Sequence, residues 1–560
     1  MRTLYNIRRK VISLLLLFLP YSIYGEDAER IYLQTDKQLY IAGEPIWLKA
    51  YTTDTNGKLR EFSKIGYAEL LSDSKPEVQV LIEIKNGVGI GRMELPSTLG
   101  TGNYRLCGYT RYMRNEGEAV FFEKMITVIN PLSKSDNSKE ATETAESISD
   151  VAPQSNTVQL SVNKNRFEKR EKGVITITGL PEEYASLAIS VAGEVPFSHV
   201  NKSITDWKSN LRQSAGTNVD GPFLAEYEGA IFSGQLINNE TNTTTSVQNA
   251  TTILTFPGKE LQIYSGQSVG NGVYNFYTQE ITGKAELSTT VFPDKENIYR
   301  LDILSPFSSH SPKPFPSFYL DSIWRDYLTM RNLSSQVTRA YTTDSMSHFR
   351  PIVPHNVLTP FKQYRLNDFT RFSSVEETFS EFIYEARIRK VDGKRSFSLI
   401  NDLKKGFSFI YVLVLLDNVP IVDHELICNY NVSLIEKIEL YQGRHVYGNQ
   451  VYGGIISFVT NKGDYPNIRF EDYTQMFDFE GTQPYRYFYS PDYEKRDNST
   501  RMPDFRHTLL WEPLIDSKDG KSITVPFYTS DIPGKYDVRV EGISRDGKII
   551  NAVLQIEVAE

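Results

Sequence analysis

Apolar and polar positions alternate along most of the chain, which is the period of a half-buried strand. In IYLQTDKQLYIAGEPIWLKAY, Ile31 and Leu33, then Ile46, Leu48 and Ala50, mark two strands, with Ala42-Gly43-Glu44-Pro45 as the turn between them. Val78 to Ile84 and Val88 to Leu95 flank Asn86-Gly87, the strongest short hairpin signal. Tyr104 to Tyr112 and Phe121 to Val128 add further strands. About seven strands in roughly a hundred residues is the count of a β-sandwich.

Residues 132 to 157, LSKSDNSKEATETAESISDVAPQSNT, are polar and rich in Ser, Thr and Glu, which is linker composition. Strand patterning returns in VQLSVNKNRF, VITITGL and SLAISVAGE, and again in FLAEYEGAIFSGQLI, TTILTFPG, YNFYT and YRLDILSPF, with a polar tip over 238 to 252. Two helices interrupt it. In the first, over 315 to 340, Asp321 is a cap and Ile323, Trp324, Tyr327, Leu328 and Met330 form one stripe. In the second, Ser374 and Glu377 form a capping box ahead of Val375, Phe379, Phe382, Ile383 and Ala386, predicting a helix to about Arg389.

Residues 409 to 463 read as strand, helix, strand, strand. The uncharged run Phe409 to Leu416 is too short for a membrane span and suits a buried strand. Asp417-Asn418, with Pro420 just beyond, predicts a chain reversal. Asn431 or Ser433 caps a brief helix, and Gly448, Gly453 and Gly454 punctuate a run ending in Ile455, Ile456, Phe458 and Val459. From 471 to 505 no period holds, which predicts an aromatic-rich loop. Alternation resumes through Ile523, Val525 and Phe527, then Tyr536, Val538 and Val540. That last stretch is too short for a sandwich, so it is expected to complete one begun upstream.

Composition sharpens this picture. Aromatics make up 12 % of the chain, with 34 Tyr and 30 Phe, which favours sheets. The net charge is −8, and the 61 Lys and Arg are scattered, arguing against nucleic acid as a partner. Arg2, Arg8, Arg9 and Lys10, the apolar run Val11 to Leu19, and then Pro20, Ser22 and Gly25 predict a secretory leader over 1 to 25. Cys107 and Cys428 are the two cysteines, and neither stands where a lipid anchor needs one, so the chain is not read as a lipoprotein. Both are expected as separate buried thiols.

Two resemblances then appear. YLQTDKQLYIAGEPIWLKAYTTD and LPSTLGTGNYRLCGYTRYM resemble the opening and close of a macroglobulin domain of the alpha-2-macroglobulin family. That family's protease trap needs an internal thioester, and neither Cys107-Gly108-Tyr109 nor Cys428-Asn429-Tyr430 resembles its motif. LLDNVPI, LIEKIELYQG and YGNQVYGGIISFVTNKG resemble, in order and spacing, three signatures of the plug domain of TonB-dependent outer-membrane receptors. Asn418 stands where that family usually has Gly. Fewer than a hundred residues follow, too few for a transmembrane barrel of at least about eight strands. The combination resembles exported envelope proteins of the Bacteroidota.

The expected fold is mainly β and multidomain: macroglobulin-like, immunoglobulin-like β-sandwiches plus an α/β plug-like domain, with no transmembrane barrel. The expected order is a leader (1–25), macroglobulin-like sandwich (26–131), linker (132–157), sandwich (158–220), sandwich module (221–308), helical connector (309–350), plug-like domain (351–470), aromatic-rich loop (471–505) and a closing β segment (506–560).

Candidate chemistry is thin. Asp417, Asp423, His424 and Glu425 cluster in sequence, but they lack metal-site spacing and read as turn and solvated carboxylates. Asp54-Thr55-Asn56-Gly57 opens like a calcium loop but has Ile65 at the twelfth position. Gly87, Gly89 and Gly91 sit inside a strand rather than a nucleotide loop. No string resembles a nucleophile elbow. Asp344-Ser345-Met346 looks like a short O-glycosylation acceptor.

These readings lead to an expected non-enzymatic binding or scaffold protein of the cell envelope, without cofactor or metal, engaging an outer-membrane barrel or envelope protein complex. The residues expected to carry contacts are Asp417, Asn418, Val419, Pro420, Asp423, Tyr447, Tyr452, Tyr485, Tyr487 and Tyr489. Two alternatives come from other classes. A non-covalent protease inhibitor would use residues 132 to 157 as bait. An accessory of TonB-dependent uptake would need a TonB box, for which only Glu26 to Glu29 remain ahead of the first strand. The oligomeric state is left open.

Overall fold

The computed structural model describes residues 28–132, 158–195, 203–212, 222–293, 298–313, 324–341, 358–391, 393–401, 406–407, 410–495 and 502–560. The leader, nearly all of the linker, the Asp321 cap and Asp344-Ser345-Met346 lie outside them. The chain is mainly β, and among the described residues no helix is long and apolar enough to cross a membrane. It divides into two compact units: Met1–Tyr227 with Ser309–Arg350 and Thr482–Glu560, and Glu228–Ser308 with Pro351–Gly481.

The first unit opens with an 8-stranded sheet running from Glu29–Thr35 through Pro45–Asp54, Val88–Glu94, Lys75–Lys85, Ile65–Ser72, Gly102–Tyr109 and Phe122–Ile129 to Leu39–Ile41. Its central hairpin turns on Asn86 and Gly87, with φ of 54° and 79°. Both angles are positive, as a two-residue turn matched to strand twist requires. Gly89 keeps the hairpin tight, because a Cβ there would lie 2.6 Å from the Glu83 carbonyl oxygen. Glu29–Thr35 is buried at every position. A strand buried on both faces needs a second layer, and here that layer is a second sandwich.

The second sandwich joins distant parts of the chain. Ala185–Gly193 lies between Thr508–Ser517 and Gly534–Ser544 in a 5-stranded sheet, which faces Gln159–Val162, Lys172–Thr178 and Ile523–Tyr528. Ile175, Leu187, Ile189, Phe527, Val538 and Val540 fill the core between them. The helix Arg325–Tyr341 keeps part of the expected apolar stripe: Tyr327 and Leu328 pack against Leu39, Ile41 and Ile129. It buries Arg331, Ser334 and Ser335 while Met330 and Leu333 face outward. Arg331 turns inward because Glu44 is there to pair with it, at 3.1 Å.

In the second unit, Leu413–Leu416 runs parallel to Ile455–Thr460, which in turn pairs antiparallel with Ile435–Tyr441; Lys362–Arg365 and Val419–Pro420 form the edges. One face of this sheet sets Val414, Leu416, Ile438, Ile456 and Phe458 against Val375, Phe379 and Ile427 of two short helices. The other sets Leu413, Leu415, Tyr441 and Ile455 against Ile253 and Leu261. Covered on both faces, the strand has no solvent side, which is why its sequence is an unbroken apolar run.

Two expectations are corrected in this unit. The helix capped by Ser374 stops at Phe382 instead of running to Arg389. Ile383 leaves helical geometry, and beyond it Ala386 and Ile388 alternate with Arg387 and Arg389, so Ala386–Val391 pairs with Lys394–Asn401 as a hairpin. The stretch expected as an aromatic-rich loop contains the strand Thr474–Glu480, paired with Lys284–Val291. Phe477 and Phe479 alternate with Asp478 and Glu480 there, a period that is too brief to stand out among the irregular aromatics around it.

Candidate interaction surfaces

Asp417 and Asn418 form the expected turn, both with positive φ, 46° and 69°. Asn takes this geometry in place of Gly because its short polar side chain tolerates the left-handed region. The Asp417 carboxylate is fully buried; it accepts from the Thr460 amide at 2.7 Å, the Thr460 hydroxyl at 2.6 Å and the Tyr465 amide at 2.7 Å. Burial pushes its pKa up, and these hydrogen bonds oppose the rise. The Asn418 amide donates to the Phe256 carbonyl at 3.1 Å and to that of Glu260. Val419 and Pro420 are buried as well. The four turn residues assigned to partner contact are therefore an internal joint, because the layer carrying Phe256 and Leu261 covers them.

The cluster Asp417, Asp423, His424 and Glu425 does not converge. Asp423 caps the helix His424–Cys428 through the Glu425 amide, and Glu425 pairs with Arg395 at 2.5 Å. Burial lowers the His424 imidazole to about 4, so it is neutral, and its Nδ1 lies 3.3 Å from the Phe397 amide. Among the described residues no group of three or more His, Cys, Asp or Glu is placed to hold a metal. Cys107 and Cys428 are both buried free thiols.

Tyr447 and Tyr452 belong to a hairpin, His445–Tyr447 with Gln450–Tyr452, that sequence reading left without strands. Tyr452 is buried and Tyr447 half-buried, 6.1 Å apart between ring centres; Tyr411, stacked on His424, lies 6.2 Å from Tyr452. Val446 and Val451 sit opposite each other on the outer side, 63 % and 39 % exposed. The accessible apolar surface here is this valine pair with Tyr411, which sequence reasoning missed. The signal was present, as His-Val-Tyr and Gln-Val-Tyr alternate around Gly448-Asn449.

Tyr485, Tyr487 and Tyr489 lie in the other unit. The rings of Tyr485 and Tyr487 meet edge to face at 4.5 Å, with Tyr487 46 % exposed, and Phe488 packs on Trp47 at 5.6 Å. Tyr489 borders a crevice of about 40 Å³ with Tyr341, Tyr493 and Phe505. In the same unit an open cleft of about 700 Å³ is walled by Glu61, Glu182, Tyr184, Asp516, Lys518 and Arg545 among others. The candidate residues thus belong to two units.

Buried polar groups in the first unit fasten layers together. Lys49, fully buried, donates to Ser186 Oγ at 2.9 Å and to the carbonyls of Leu187 and Pro513 at 2.8 and 2.6 Å. Burial draws its pKa down to about 7 against the opposing pull of Asp516 and Glu512. Glu69 accepts from the Tyr109 hydroxyl at 2.5 Å and lies 2.8 Å from His310 Nε2.

Together these features define a mainly β protein of several sheets whose buried polar groups join its layers. No family model matches the chain. No curated protein matches it. Among solved structures it is similar to Escherichia coli alpha-2-macroglobulin activated by porcine elastase, at 8 % identity and a TM-score of 0.25, over 95 % of this chain and 44 % of that one. It is similar also to Salmonella alpha-2-macroglobulin reacted with methylamine, at 9 % and 0.24 over 95 % and 40 %, and to the Escherichia coli adhesin FdeC, at 13 % and 0.16 over 49 % and 62 %. The chain spans less than half the length of these two macroglobulins.

Proposed function

We propose that this chain is a non-enzymatic binding or scaffold protein of the cell envelope, built from β-sandwich modules and a plug-like α/β module that engage an outer-membrane protein complex. The observation that carries the reading is how side chains are spent. Polar groups that would do chemistry in an active site, Asp417 and Lys49 above all, are buried and consumed in structure, Asp417 tying its turn to Thr460 at the end of the neighbouring strand and Lys49 joining two layers. Among the side chains left outward are those suited to recognition, the pair Val446 and Val451, Tyr411 and Tyr487. Exposed apolar and aromatic groups of this kind supply contact area to a partner. The envelope setting rests on the leader pattern and on the resemblance to plug and macroglobulin domains.

Affinity purification of the full chain from envelopes in mild detergent tests the reading. The expected result is co-purification of an outer-membrane barrel or its associated proteins. Capture of soluble proteases alone would overturn it.

A further inference from the structure

The strand Thr474–Glu480 ends its sheet, paired on one side with Lys284–Val291 and on the other with no strand among the described residues. The Val291 amide donates to the Tyr473 carbonyl at 3.0 Å, and the Gly481 amide to that of Gly283 at 2.8 Å. In an antiparallel ladder alternate residues share the hydrogen-bonded sites, so Gln475, Phe477 and Phe479 also face inward. The N–H and C=O groups of Met476, Asp478 and Glu480 therefore point outward. A seven-residue edge with three such residues is a ready template for another strand.

Three other edges in this unit are blunted. Val419–Pro420 is two residues long and carries a proline, Lys362–Arg365 is short and basic, and Ala386–Val391 carries Arg387, Arg389 and Lys390. Proline and positive charge are the usual guards against strand addition. TQMFDFE has neither, and no bulge interrupts its pairing.

Charge selects the partner. Asp478 stands directly opposite Glu286 in a non-hydrogen-bonded pair, where side chains come closest, and both are exposed; Glu480, on the same face, stands opposite Lys284. Like charges placed so are destabilising. Phe477 and Phe479 occupy the opposite face, half-buried. We propose that this edge is a docking site for an extended strand of a partner protein, adding by β-augmentation, with Lys or Arg opposite Asp478 and apolar residues on the phenylalanine face. The inference names a surface for the binding role proposed above and rests on that reading.

The test uses the full chain and a heptapeptide alternating lysine and valine, with a glutamate-valine peptide as control. Binding is read by fluorescence anisotropy and by hydrogen exchange at the amides of Met476, Asp478 and Glu480. The lysine peptide is expected to bind and slow those three amides, and the glutamate peptide to bind at least tenfold more weakly. Asp478→Pro removes an outward donor without touching the internal ladder and is expected to weaken binding at least tenfold. Asp478→Asn keeps the donor and is expected to lose less and still slow the amides. Unchanged affinity in Asp478→Pro, or no slowing in the wild-type chain, overturns the edge as a docking site. If the wild-type chain captures no envelope protein, the binding role itself fails, and the peptide data still judge the edge.

Discussion

Lys49 Nζ lies 2.6 Å from the carbonyl oxygen of Pro513, a residue 464 positions further along the chain. The contact fastens the first sandwich of the chain to a strand of the second with an amine that has no carboxylate in contact.

That amine makes stability depend on pH. Burial lowers the folded-state value to about 7, whereas an unfolded lysine titrates at 10.5. The unfolded chain holds the extra proton between those values, so the penalty is complete below about pH 7 and is relieved as pH rises toward 10.5. Its contribution should rise by about 1.4 kcal/mol per pH unit in that window. Thermal melts of wild type and Lys49→Met across pH 7 to 10 should differ by this slope, and parallel curves would show that Lys49 keeps an ordinary pKa.

Glu44 acts in the opposite sense. Burial would raise its pKa, but Arg331 and Lys37 outweigh that and hold it at about 2. Its stabilisation is present above the unfolded value of 4.5 and is lost as pH falls toward 2. Glu44→Gln should be less stable than wild type at pH 7 and nearly equal near pH 2. Equal stability at pH 7 would contradict a buried pair that fixes the helix Arg325–Tyr341.

Asp417→Ala leaves the amides of Thr460 and Tyr465 buried without an acceptor. The expected cost is about 3 kcal/mol, read as a fall in denaturation midpoint. If Asp417 were instead a surface contact residue, the midpoint would hold and partner capture would fall.

Val446→Ser with Val451→Ser should do the reverse. Both side chains face solvent, so stability should change by about 0.5 kcal/mol or less. Capture of envelope proteins should drop if this hairpin contributes contact area, and unchanged capture would exclude it.

Much of this was legible in residue order. The Asn86-Gly87 hairpin, the Asp417 turn and the unbroken apolar run before it each depend on a few adjacent residues, whose backbone preferences act wherever the chain goes. The helix after Ser374 was overextended because Ala386 and Ile388 suit a helical stripe as well as a strand, and only pairing with Leu399 and Phe397 decides between them. Thr474–Glu480 is hidden in residue order for a similar reason, since its partner lies almost two hundred positions earlier.

By itself the sequence determined the β-rich character of the chain, its turns, and the buried strand that precedes Asp417, because alternation, Gly and Asn geometry and uncharged runs are local properties. Tertiary structure alone decided which side chains face outward. Whether Asp417 is a contact or a joint depends on the layer around Phe256 lying over it, and whether an edge such as Thr474–Glu480 stays open depends on where every other strand has gone.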